Sequence, residues 1–397
     1  MVMSEWAEDK ILVAGSQFKR TYLITSFAAD RRVRRNVTVI RVPSLSWKDF
    51  RWELSENRLS KFGILFLILW YPMAATIGRL WDIAFGKIST DSAARWSWGF
   101  TAFIAVLFVK IRHPKANVFA TGGAAGGHIA ALLTRLISKK RIYLEFQDPL
   151  MGSEMLRSDL NKKLISKLER IFISCSSRTV FVTKKAARGA LERHEKYAAK
   201  IISIYPGAWD YIDNHKQTTE KANENIEFLH LGTLYGARNL DNFFLALDNL
   251  RSVGCKNADR VQVKNLGDIY LENKAEYLSR LDFELLPPQI RSQSLLRAAE
   301  ANILLLVQHA DTRSHETIPY KTYDYLNLRK PIFGIIDNPE LASLIGSGPH
   351  ILANATSVES IQQNLMRLLN HYNSSAKSET QIQNILQIDK QFAKIFE

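Results

Sequence analysis

Glu316, Lys321 and Asp324 fall within the nine residues ETIPYKTYD, where a polar loop gives way to a helical pattern ahead of the apolar run 331–336. A helix opening near Tyr320 would aim backbone N–H groups and the positive end of its dipole at whatever lies before it. Lys321 adds a full charge to that pole. Asp324, one turn in, can turn its carboxylate back and accept two hydroxyl hydrogen bonds. Phosphates lying next to a diol present that combination, as in a nucleotide sugar. The same residues also suit an ordinary helix start with an acid in its first turn. Spacing alone leaves both open.

Two glycine loops lead into helical patterns. The first, residues 122–127 (GGAAGG), follows the apolar run 117–121, and His128 comes directly after it. Gly122, Gly123, Gly126 and Gly127 would let a ligand approach the backbone closely, and the helix start would offer N–H donors. A dinucleotide fingerprint needs glycines at relative positions one, three and six. Ala124 fills the third, although Gly127 fits the sixth and Glu145 lies at a plausible ribose distance. A Walker lysine is also lacking. His128 could protonate or position an oxyanion, or simply hydrogen-bond the helix start. Asp148 follows the apolar run 141–146 and precedes Pro149, so it is either a strand-end ligand contact or a turn aspartate.

The second loop spans residues 232–238. Gly232 admits close approach, and Arg238 can pair bidentately with a pyrophosphate. An arginine at a helix start opposes the dipole, which favours the phosphate reading. The sequence contains no Asp-x-Asp pair and no His, Cys or carboxylate cluster with metal spacing. Neutralising phosphate would then fall to Arg238, Lys321 and helix N-termini, with no metal and no cofactor.

Short apolar runs separated by helical patterns must position these groups. Residues 10–16 (KILVAGS, ending at Gly15), 36–42, 117–121, 141–146, 179–182 and 201–204 read as parallel strands, and 18–32 as a helix. A polar stretch over 213–227 reads as a linker. Strands at 227–231, 260–264, 302–307 and 331–336 follow it, with a last helix near 381–396. The expectation is an α/β protein with two units around a cleft that binds ligands at the strands' carboxyl ends. The boundaries expected are 1–212, 213–375 and 376–397.

Charge is uneven. Residues 1–200 hold 34 Lys and Arg against 16 Asp and Glu, a net of +18, while 201–397 hold 19 against 23, a net of −4. Only the first half therefore faces a polyanion. Residues 62–78 (FGILFLILWYPMAATIG) and 96–109 (WSWGFTAFIAVLFV) are uncharged, and Lys, Arg and the tryptophans Trp52, Trp70, Trp81, Trp96 and Trp98 accompany them. Buried helices, insertion into one leaflet and a true span all compete. A span needs about 20 apolar residues, so peripheral or monotopic attachment to an anionic membrane is expected, with Phe66, Leu67 and Trp70 inserting. Cations set among apolar helices, rather than among exposed aromatics on strands, argue against nucleic acid. The early acids Glu5, Glu8 and Asp9 leave no signal peptide visible, and Cys175 and Cys255 read as reduced thiols. The expected location is the cytoplasmic face of the inner membrane.

The stretches HLGTLYGARNLDNFFLAL, ANILLLVQ and IPYKTYDYLNLRKPIFGI resemble the C-terminal domain of GT-B fold glycosyltransferases, closest to the bacterial O-antigen, capsule and exopolysaccharide enzymes related to glycosyltransferase family 4. TGGAAGGHIAALLTRLISKKRIYLEFQDP resembles the acceptor side of their N-terminal domain. The resemblance covers roughly residues 10–395 and is specific in the second half. It implies two Rossmann-like domains facing a central cleft, with acceptor on the first and donor nucleotide on the second, and a last helix crossing back. Asp324 would hold the ribose, Glu316 would approach the donor sugar, and Arg238 would bind the diphosphate. Gly15, Gly232 and Lys321 complete the donor set. Gly122, Gly123, Gly126 and Gly127 fall to the acceptor, and His128 or Asp148 to the general base. The implied reaction moves a sugar from a nucleotide sugar to a lipid-linked glycan, and a nucleotide-sugar epimerase is the related alternative. The sequence lacks the family's usual glycines after Glu316. It also has Asp at the ribose position and Thr233 where a cation is frequent.

Overall fold

Runs such as VFATG and IYLEF carry no polar alternation, as strands covered on both faces require, and every residue of these two is buried. The computed structural model describes residues 2–3, 21–25, 37–48, 50–51, 70–85, 96–122, 126–152, 159–208, 225–289, 291–346, 349–372 and 388–396. The chain divides into one unit made of Met1–Tyr205 with Ile388–Glu397, and a second of Pro206–Gln387. The division falls before the expected boundary at 212. Most of the polar stretch 213–227 lies outside the described residues.

The first unit holds seven parallel strands: β1 (Val2–Met3), β2 (Thr21–Thr25), β3 (Val37–Arg41), β4 (Val118–Gly122), β5 (Ile142–Phe146), β6 (Arg178–Phe181) and β7 (Ile201–Ser203). Their spatial order is β3-β2-β1-β4-β5-β6-β7. The chain winds outward from β1 to β3, then reverses through β4, the doubly wound arrangement. The strand expected over 10–16, Gly15 included, lies outside the described residues. Residues 18–32 correct a second expectation: Thr21–Thr25 is a strand, not part of a helix. Its β-branched residues pair with both β1 and β3, and those tertiary contacts outweigh local helical preference.

Helices α1 (Arg79–Phe85), α2 (Trp98–Arg112), α3 (Gly126–Ile137), α4 (Asp159–Cys175) and α5 (Lys184–Arg193) join this unit, with a π-turn at Ala74–Gly78 leading into α1. α2 lies tightly against α3. A methyl on Gly99 would sit 2.6 Å from the Gly126 carbonyl oxygen, so only glycine fits there. Two tryptophans expected at an interface are core residues instead. Trp96 and Trp98 are buried, and the Trp98 indole N–H donates to the Val42 carbonyl at 3.2 Å. Trp70 donates to the Ser44 carbonyl at 3.0 Å, while Phe66 and Leu67 lie outside the described residues. The exposed apolar face belongs to other residues: Leu80 and Ile83 on α1, and Phe100, Ile104, Phe108 and Ile111 on α2. The last four recur at helical spacing along one stripe. Among the described residues no helix is long and apolar enough to cross a membrane.

The second unit repeats the winding. Its strands β8 (Ile226–Leu231), β9 (Leu234–Tyr235), β10 (Val261–Leu266), β11 (Ile269–Tyr270), β12 (Phe283–Leu286), β13 (Ile303–Val307), β14 (Ile332–Ile336) and β15 (Ile351–Asn354) include a parallel six in the order β12-β10-β8-β13-β14-β15, and a small β11-β9 pair. Helices α6 (Asp241–Ser252), α7 (Lys274–Ser279), α8 (Arg291–Glu300), α9 (Lys321–Asn327), α10 (Pro339–Ile345) and α11 (Val358–His371) accompany them. Phe228, Phe243 and Phe333 meet at the centre of its core. Winding reverses between the adjacent strands β8 and β13, where open α/β sheets collect ligands.

The last helix, α12 (Ile388–Phe396), belongs to the first unit. Phe392 packs edge-on to Phe119 and Phe396 edge-on to Tyr143, while Arg178 donates to the Lys394 carbonyl at 2.9 Å.

Candidate functional site

At the carboxyl end of β8 the chain turns through Gly232, whose φ of +113° disfavours any other residue. Its N–H donates to the Leu266 carbonyl at 2.8 Å, and its own carbonyl lies against Gly267 at the end of β10, where a methyl would come within 2.6 Å. Both glycines are needed for the two loops to touch. A side chain on Gly232 would begin 3.8 Å from Lys321 Nζ, so the amine lies directly beside this loop.

Lys321 opens α9 and donates to the Leu231 carbonyl at 2.8 Å and to His230 Nε2 at 2.5 Å. His230 and Asn265 are fully buried register partners across β8 and β10. His230 Nδ1 meets Asn265 Oδ1 at 2.6 Å, and Asn265 Nδ2 donates to the Gly267 carbonyl at 3.1 Å. Burial, with Arg238 adding to it, holds the Lys321 amine well below the usual lysine range. Burial also keeps His230 well below its ordinary range. Lys321 and Arg238 push the same way, against the Asn265 hydrogen bond. A site that discourages positive charge this strongly gains most from an incoming anion.

Arg238 is fixed by its backbone, which exchanges two 3.0 Å hydrogen bonds with Tyr235, and its guanidinium lies 5.1 Å from the Tyr235 ring centre. Its Nε is buried and has no hydrogen-bond partner among the described residues. An unpartnered donor on a cation is one that an anion could satisfy.

The α9 helix begins where the sequence places it, but it is only seven residues long. The positive pole therefore rests on Lys321 and Arg238 more than on a helix dipole. Asp324 is buried in the first turn of α9 and accepts from Arg291 Nη2 at 2.5 Å. Burial raises its pKa, while Arg291 draws it back down. Arg291, on α8, has no motif to announce it. Glu316 is half-buried and ends the 3-10 turn Thr312–Glu316. Gln308 donates to the carbonyls of Ser314 and Thr317 at 2.8 and 3.0 Å, and Asn338 to the same two at 2.8 and 3.2 Å. The ends of β13 and β14 thus pin the Glu316 loop. These two amides also escaped the sequence reading.

The first unit changes several expectations. His128 is completely buried, stacked on Phe146 with ring centres 4.2 Å apart, and its Nε2 meets the Glu145 carbonyl at 2.8 Å. No substrate can reach it, so it is a core histidine and not a general base. Asp148, by contrast, is exposed just beyond β5. Gly126 and Gly127 are buried within α3, and the Gly126 carbonyl lies against Gly99. Gly122 ends β4 with a φ of +145°. Gly123 lies outside the described residues. Among the described residues no group of three or more His, Cys, Asp or Glu side chains could hold a metal ion.

No protein-family model matches the chain, and no curated protein matches its sequence. Solved structures do match its shape. Anabaena Alr3699/HepE in complex with UDP and glucose aligns at 12% identity over 100% of this chain and 98% of its own, with a TM-score of 0.60. An α,α-trehalose-phosphate synthase (UDP-forming) from Burkholderia vietnamiensis aligns at 11% identity over 100% and 95%, with a TM-score of 0.61. The lipopolysaccharide outer core galactosyltransferase WaaB, in its apo form, aligns at 13% identity over 100% and 99%, with a TM-score of 0.55.

Proposed function

We propose that the chain, which has the GT-B fold of two Rossmann-like domains in succession, is a metal-independent glycosyltransferase that moves a sugar from a nucleoside diphosphate to a membrane-held glycan, of the polyprenyl-diphosphate-linked kind, in cell-surface polysaccharide synthesis. The observation that carries this reading is the convergence of Lys321 and Arg238 on the Gly232 loop at the switch between β8 and β13, with the Arg238 Nε orphaned. Solved structures of the same fold that contain UDP, or UDP and glucose, support it.

In this reading the bond between the sugar's anomeric carbon and the diphosphate oxygen breaks as the acceptor hydroxyl bonds to that carbon. Lys321 and Arg238 take up the charge of the departing diphosphate. Asp324 holds the ribose through the carboxylate oxygen that Arg291 leaves available, and Glu316 approaches the sugar. In an inverting reaction the acceptor's proton would pass to Asp148, the expected base that solvent can reach.

The membrane part rests on the first unit. Between Asp91 and Glu145 the sequence has no acidic residue. The exposed stripe on α2 ends at Ile111, and Arg112, Lys115, Arg135, Lys139, Lys140 and Arg141 are all exposed. Apolar side chains edged by cations fit an anionic leaflet, each cation contributing about 1 kcal/mol near the surface. The cytoplasmic face of the inner membrane is the location this reading assigns.

A thermal-shift screen with UDP, GDP, CDP and dTDP tests the donor half. A ligand at 100 times its Kd stabilises the native state by about 2.7 kcal/mol. A rise in Tm with one of the four is expected, and no rise with any of them would overturn the reading.

A further inference from the structure

Asn265 ends in an amide with two different faces, and only one orientation satisfies its neighbours. The Gly267 carbonyl, 3.1 Å away, can only accept, so it receives the Nδ2 donor. Oδ1 is then turned toward His230 Nδ1 at 2.6 Å and accepts from it. The ring proton therefore sits on Nδ1, and Nε2 keeps a lone pair facing Lys321. This is the opposite of the tautomer that free imidazoles favour.

That lone pair has a consequence for the amine. Lys321 receives two acceptors, His230 Nε2 and the Leu231 carbonyl, and neither carries charge. They replace water around an ammonium without cancelling it, whereas a carboxylate at position 230 would pair with the lysine and neutralise it. Among the described residues two of the three N–H bonds are thereby occupied, and one is left for an anion. The charged groups that face the ring are Lys321 on α9 and Arg238 on the Gly232 loop. We infer that His230, held as the Nδ1–H tautomer by Asn265, is a positioning residue that fixes Lys321 beside Gly232 for the diphosphate and leaves its charge uncancelled. This rests on Lys321 meeting the donor's phosphates, as proposed above.

Calorimetric titration of the full chain with pyrophosphate and with UDP reads the effect, the first probe being independent of the donor base. His230→Leu should weaken both by tenfold or more, and His230→Gln, which keeps a neutral acceptor, should stay within about threefold of the parent. In a Lys321→Met background His230→Leu should have no further effect, since the two act as one. A loss of equal size in that background, or parental affinity in His230→Leu, would overturn the inference while the donor reading stands. Parent protein that binds neither probe would instead remove the donor reading. A measurement on the parent protein does not depend on any variant folding: ¹⁵N NMR of the ring at about pH 6, where an ordinary histidine is mainly protonated. A neutral His230 with its proton on Nδ1, its signal assigned by loss in His230→Gln, is expected. A proton on Nε2, or an imidazolium, would refute the arrangement outright.

Discussion

The first unit leaves Leu80, Ile83, Phe108 and Ile111 exposed beside the cations Arg79 and Arg112, while the second closes its charges on one another. In the second, Arg280 holds Asp248 at 2.6 Å and Asp282 at 2.9 Å, Arg251 holds Asp282 at 2.5 Å, Lys264 holds Glu284 at 2.7 Å, and Arg297 holds Glu227 at 2.6 Å. Both units wind their strands in one order, so topology did not dictate this difference. One winding supports two surfaces because the sheet decides where a ligand can bind and the side chains decide which ligand. Under the proposed function, a unit that meets lipid gains from exposed cations beside apolar residues, and a unit that binds a soluble anion needs its positive charge at the site.

The largest expected effect tests the proposed lipid surface. Ile83 and Phe108 are 73% and 64% exposed, so Ile83→Glu with Phe108→Glu should leave folding intact. The pair should weaken binding to anionic vesicles by roughly 3 kcal/mol or more, each large apolar side chain being worth about 1.5–3 kcal/mol when fully buried. Nucleotide affinity should not change. Vesicle flotation that matches the parent would break the comparison. High salt should release the parent only in part, because screening acts on the cations and not on the apolar stripe.

Lys321→Met tests the other surface and should cost about 1.5–3 kcal/mol of UDP affinity, the value of a hydrogen bond to a charged group. Calorimetry showing no loss would move the phosphate site elsewhere. Asp282→Asn sharpens the contrast through stability. Burial opposes ionisation of Asp282, but Arg280 and Arg251 outweigh it and hold its pKa below the ordinary aspartate value. Its stabilisation is therefore present above the unfolded pKa, about 3.9, and is lost as pH falls through the folded value. The variant should melt earlier at neutral pH by the equivalent of about 1–3 kcal/mol, and the gap should close in acid. A gap that persists there would assign the loss to packing.

Asp324→Ala should cost about 1–3 kcal/mol of nucleotide affinity, and parental affinity in that variant would sink the ribose assignment. The smallest effect is none. With two cations at the phosphates, transferase turnover should survive excess EDTA, and abolition rescued by magnesium or manganese would refute the metal-free reading.

Most of the sheet framework was legible in the sequence because continuous apolar runs such as ILLLV and IFGII suit strands buried on both faces. β1, β2, β9, β11, β12 and β15 were not, since two to five residues such as TYLIT become strands only by pairing with neighbours. Gly232, Arg238 and Lys321 were legible because glycine loops and helix starts mark themselves locally. His230 was hidden for the opposite reason. It sits inside the run IEFLHL, and its meaning depends on a register that sets it opposite Asn265, 35 residues later. A lone histidine one residue from the end of an apolar strand, before a glycine turn, is the signal that could have found it. His128 shows the converse error: a promising local context that burial against Phe146 overrules.

The placement of α12 bears on how the protein is made. The ribosome delivers residues 1–205 first, yet the cover for Phe119 and Tyr143 is among the last segments synthesised. At about 5–20 residues per second, the intervening second unit takes roughly ten to forty seconds to emerge. During that interval the second unit can finish folding while the first still has an uncovered apolar seam. A premature stop just before Ile388 would leave the Rossmann sheet of the second unit whole and the first permanently unsealed, a species that chaperones and proteases would recognise by the half lacking the candidate donor site.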